Sequence, residues 1–216
     1  MSSNADAAES KVWGAERAKA FIDAVVAIAM TLLILPLMES VADVEDAEHT
    51  AGEWFVEHQW QLLAFVLSFF IIAMFWLNHH RMFAGVEEVS SALLWISVAW
   101  LLSIVWLPVA TAMTGQFEAD DPLVKVTYIG SMIVTSLLMM AQRLYLRRHP
   151  ALTRDSDEEP MKGLAADLSI VTLFSLALVI ALVIPSIGYW ALMIMWLTGV
   201  VQRLFRRILG VSNRRR

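Results

Sequence analysis

The side chains most able to do chemistry in this sequence are two carboxylates, a hydroxyl and a pair of imidazoles, nearly all set in or against apolar runs. Asp23 and Thr31 lie inside FIDAVVAIAMTLLILPLM, Phe21 to Met38. An ionisable group inside a spanning helix costs about 2.5–3.5 kcal/mol on insertion scales, so it usually turns toward protein or water and is a functional-site candidate. Ile28, Leu32, Leu35 and Glu39 recur at helical spacing. They set three branched aliphatics in line with a carboxylate just beyond the apolar run. Asp23 sits about 140° round the same helix from Ile28 and points toward another helix instead.

His79 and His80 close a second apolar run, WLNHHRMF. Adjacent helical residues diverge by about 100°, which makes a poor chelate, and no metal is assigned to them. Hydrogen bonding at the membrane interface is the reading, with pH sensing open because imidazole titrates near neutrality. Arg17, Asn78, His79 and His80 lie near the depth of Asp23 and are its natural partners. A structural polar network is favoured over a proton-carrying Asp23. The chain has no glycine-rich phosphate loop, no HExxH and no GxSxG. It has no cysteine either, which removes disulfides and thiolate chemistry. Neither an enzyme nor a resident cofactor is expected.

The elements that must position these residues follow from composition. Apolar residues make up 58% of the chain and charged residues 17%, which indicates an all-α, polytopic membrane protein. Six spans are read: Phe21–Met38, then about Trp60–Asn78, Ser91–Met113, Val124–Leu146, Leu164–Ile184 and Tyr189–Leu209. The whole chain, 1–216, is one transmembrane domain. Residues 1–15 form a flexible tail, 39–59 an acidic external loop and 147–163 a cytoplasmic loop. A tight turn, 185–188, joins the last two spans. No cleavable leader precedes the first span, which is expected to act as an uncleaved anchor.

Charge sets the orientation. The first loop carries Glu39, Asp43, Glu45, Asp46, Glu48, Glu53 and Glu57 with no Lys or Arg, and the third carries Glu118, Asp120 and Asp121. Of 16 Lys and Arg, all but Lys125 fall on the opposite side. Both termini are therefore expected in the cytoplasm. Trp13, Trp54, Trp60, Trp76 and Trp190 lie near span ends, as interfacial anchors do. Arg206, Arg207 and the terminal arginines either bind anionic headgroups or serve as plain topology signals.

Two stretches carry a resemblance. Arg17-x-x-x-Phe21-Ile22-Asp23, followed by Ala27-Ile28 and Thr31-Leu32-Leu33, resembles the first-helix signature of the transmembrane protein 175 family of potassium channels. Trp76-Leu77-Asn78-His79-His80-Arg81-Met82-Phe83 is similar to that family's second-helix ending. Ile22 stands where the family usually has Ser. The resemblance implies a homotetramer of six-span subunits in the bilayer, with the first helix lining the pore. Ile28, Leu32 and Leu35 would form aliphatic constriction rings in place of a TVGYG filter, and Thr31 would supply a hydroxyl beside them. Arg17, Phe21 and Asp23 would join Asn78, His79 and His80 between helices. Glu39 would form an outer cation-attracting ring. The implied function is a potassium-conducting channel in a bacterial plasma membrane, with monovalent cations rather than nucleic acid as partners. The alternative is a secondary transporter or proton-coupled carrier, although no charge falls at the middle of a span.

Overall fold

The computed structural model describes residues 13–42, 50–118, 121–154, 158–184 and 188–208. The chain is almost wholly helical. A short strand β1 (Trp13–Gly14) leads into α1 (Ala15–Leu32), α2 (Leu35–Ala42), α3 (Ala51–Glu57) and α4 (Gln59–Phe83). Strand β2 (Glu88–Val89), α5 (Ser91–Gln116), α6 (Pro122–Arg148), α7 (Glu158–Val183) and α8 (Thr198–Ile208) follow. Among the described residues, five segments are long and apolar enough to cross a membrane: Ala15–Ala42, Gln59–Phe83, Ser91–Gln116, Pro122–Arg148 and Gly163–Val183.

The first expected span is not one helix. Proline at 36 has no N–H to give the Leu32 carbonyl, and its ring collides with that carbonyl in a continuous helix. The chain accordingly leaves α1 at Leu32 and resumes as α2 at Leu35. The sixth expected span is not a single α-helix either. It consists of a 3₁₀ segment, Gly188–Leu197, running into α8. Within the outer loop, Thr50 and Glu53 form a reciprocal capping box that starts α3. Residues 1–12 of the expected tail, 43–49 of the acidic loop, 155–157 of the cytoplasmic loop and 185–187 of the tight turn lie outside the described residues, as do the terminal arginines.

Starts elsewhere follow local chemistry. Ser90 Oγ accepts from Leu93 N at 3.3 Å to begin α5. Asp121 accepts from Leu123 N at 2.7 Å ahead of Pro122, which fits a first helical turn because its missing N–H has no partner there anyway. The helices pack largely in chain order: α1 lies on α4 and α5, α5 on α6, α6 on α7, and α7 on α8. The core between them holds Phe75, Trp100, Ile104, Tyr128, Met132 and Phe174, all essentially inaccessible. A hydroxyl cluster crosses it, with Thr111 donating to Ser68 and Ser68 paired with Tyr128, each at 2.8 Å.

At the histidine end of the bundle, three separate chain segments form a small collar. β1 pairs antiparallel with β2, Trp13 opposite Val89 and Gly14 opposite Glu88. On the other edge Val86 bridges to Thr153, and Arg154 N donates to Gly85 O at 2.9 Å. Arg154 also pairs with Glu87.

Candidate pore face and interhelix polar network

Helix α1 has two sides. Ala15, Ile22, Val26 and Ala29 are buried, and they recur at the spacing of one helical face. The opposite stripe is uncovered: Arg17, Phe21, Ile28, Thr31 and Leu32, continued by Leu35 and Glu39 on α2. Ile28 is 58% exposed and Leu35 46%, against 0% for Ala29. The two faces differ in kind as well as in contact. The packed side is small or β-branched, whereas the open side ranks aliphatics, a hydroxyl and an end carboxylate along one line. Thr31 Oγ1 donates to the Ile28 carbonyl at 2.7 Å, so its own proton is engaged and its oxygen lone pairs are left outward.

The polar network has members that sequence reasoning missed. Asp23 Oδ1 accepts from Trp76 Nε1 at 2.8 Å, tying α1 to α4. His80 leans on the same indole, with ring centroids 5.7 Å apart. His79 is buried, pairs through Nε2 with Gln142 Oε1 at 3.1 Å, and lies stacked between Phe83 and Trp100. Trp76 reads in the sequence as an interfacial anchor, and nothing local marks it as the donor to Asp23. Gln142 carried a signal, being an amide within an apolar span, where an unpaired polar group is costly. Arg17 is exposed, and the side chains of Arg17 and Asn78 make no hydrogen bond or ion pair among the described residues. Gln142 Nε2 and Trp100 Nε1 are buried donors without an acceptor among the described residues.

A second buried connection lies between α6 and α7. Arg143 Nε donates to Asp167 Oδ2 at 2.5 Å, with Asp167 nearly inaccessible. Gly163 makes room for it, since a Cβ there would collide with the guanidinium. Among the described residues no three His, Asp or Glu side chains gather as a metal site. The arrangement offers a lined surface and neutral or paired polar contacts between helices, with no nucleophile set beside a base.

The family model for the endosomal/lysosomal potassium channel TMEM175 matches residues 17–108, a stretch that holds the open α1 stripe and the Asp23–Trp76 contact. A potassium channel of Streptomyces collinus is 35% identical over 130 residues, 59% of this chain and 59% of that protein. The human endosomal/lysosomal proton channel TMEM175 is 30% identical over 146 residues, 64% of this chain and 29% of that protein. The aligned part thus spans about three fifths of the length of the bacterial relative. A crystal structure of a variant of the potassium channel MtTMEM175, bound to a nanobody–MBP fusion, superposes with a TM-score of 0.63. That match has 15% identity and covers 91% of this chain and 94% of that one, which establishes a shared fold. Both signature stretches thus fall inside the part that matches the TMEM175 family model, the fold is shared over most of the chain, and the chain is a multi-pass membrane protein that resembles TMEM175 channels over residues 17–108.

Proposed function

We propose that this protein is a potassium-conducting cation channel, a homotetramer in which four copies of α1 surround the pathway. One observation carries the reading. The Ile28–Leu32–Leu35 stripe is left open by its own subunit while the other side of the same helix is packed. Placed on a fourfold axis, the stripe becomes successive aliphatic rings. A ring of four isoleucines excludes a hydrated ion and has no dipoles to replace its water, so conduction waits on a small widening that lets water in. Thr31 oxygens stand beside that ring with lone pairs free. Glu39 at the outer end concentrates cations. At the histidine end Asp23 and Trp76 tie α1 to α4, and His79 and Gln142 tie α4 to α6. Phe21 and Arg17 continue the open stripe inward. The subunit crosses six times with both termini in the cytoplasm of a bacterial plasma membrane, and no resident cofactor is required.

The test is flux. Purified protein in potassium-loaded liposomes should let potassium run down its gradient with no coupled ion. A flux that requires an opposing proton or sodium gradient would assign a carrier instead.

A further inference from the structure

The pore reading leaves α8 without a role, yet its residues are sorted with unusual regularity. On a helical projection Val200, Val201, Leu204, Phe205 and Ile208 occupy one half, and Gln202, Arg203, Arg206 and Arg207 the other. The side turned from α7 exposes both halves. Val200, Leu204 and Ile208 are each more than half exposed. Arg203 and Arg207, also exposed, lie within about 100° of Leu204 round the helix. No Asp or Glu follows Asp167 in the sequence. Among the described residues none of these three arginines makes an ion pair, and Arg206 Nε is buried with no acceptor.

Depth places this charge. Ten 3₁₀ residues at about 2.0 Å and five α-helical residues at about 1.5 Å carry the chain about 27 Å before Arg203. That is close to the ~30 Å of a hydrocarbon core. With this segment crossing the bilayer, as in the six-span reading above, the arginines emerge where phosphates begin and the apolar side still lies against acyl chains.

We propose that α8 is a docking site for an anionic phospholipid of the cytoplasmic leaflet. Its phosphate meets Arg203, Arg206 and Arg207, and its chains lie along Val200, Leu204 and Ile208. The leaflet rests on the cytoplasmic C-terminus of the reading above; the site itself does not depend on conduction.

The experiment is native mass spectrometry of protein taken from mixed phosphatidylglycerol and phosphatidylcholine bilayers. Wild type should retain phosphatidylglycerol preferentially. Each Arg→Gln change among 203, 206 and 207 should lower that preference about fivefold, and the triple Arg→Lys variant should keep most of it. The single Arg207→Gln decides the matter if the other variants are not recovered. Unchanged retention in these variants would overturn the proposal. So would an equal loss in the Arg147→Gln/Arg148→Gln pair, which would indicate diffuse charge. A Ser212→Cys thiol should resist impermeant maleimide in intact cells and react after permeabilisation. Labelling in intact cells would overturn the leaflet, and absent ion flux with lipid preference intact would overturn only the channel.

Discussion

Ile28 and Ala29 are neighbours in sequence and opposites in space, and that contrast gives the sharpest test of the pore. Ile28→Asn wets the proposed ring and should raise basal flux in liposomes while admitting more sodium. Ala29→Asn puts an amide into the packed side of α1 and should instead reduce the yield of assembled protein, without opening a path. Equal flux from the two would mean a leaky fold. At the other end of the helix, Trp76→Phe keeps an aromatic ring but removes the one side-chain hydrogen bond that Asp23 makes among the described residues, and should cost about 1–3 kcal/mol of thermal or detergent stability. The stripe itself could be read from spacing alone, because helical periodicity survives any tertiary context. The partner of Asp23 could not. Trp76 lies 53 residues away, and its indole serves equally well as an anchor in headgroups or as a buried donor. Of the side chains around His79 only Phe83 is local to α4; Trp100 and Gln142 come from α5 and α6, which the local sequence of α4 does not encode.

Helices α6 and α7 are joined by the Arg143–Asp167 clasp, whose partners lie 24 residues apart in sequence. Arg143→Gln or Asp167→Asn leaves a buried charge alone and should cost about 3–5 kcal/mol, read as lost detergent resistance. Gly163→Ala should do similar damage by displacing the guanidinium. In a double-mutant cycle Gly163→Ala and Asp167→Asn should be strongly non-additive, because both act on one contact. Additive losses would separate the glycine from the pair. The break between α1 and α2 was half legible. Proline was visible at 36, but its effect falls on the carbonyl four residues earlier and splits the apolar run near its outer third. The 3₁₀ stretch 188–197 had no such marker, since its apolar run fits either helical form.

For the whole assembly, Glu39 tests whether four subunits share an axis. Glu39→Gln should lower single-channel conductance most in dilute salt. The difference should fade as the Debye length shrinks from about 30 Å at 0.01 M to about 3 Å at 1 M. A conductance unchanged in dilute salt would remove Glu39 from the mouth. The run of membrane helices was readable from hydropathy, whereas the uncovered face of α1 gains meaning only when other copies are placed around it.

The collar has a consequence for the order in which the molecule is made. Trp13 and Gly14 leave the ribosome early, yet their partners Glu88 and Val89 appear only after α1 and α4 have been synthesised. The free edge of the middle segment waits still longer, for Thr153, which follows α5 and α6. These are non-local pairings, and their loop-closure cost is met only when the helices between them are in place. Nascent chains halted before residue 150 should therefore leave residues 85–87 open to protease, and chains released after α7 should protect them. The amino-terminal tie to α1 closes as a late seal on an inserted bundle.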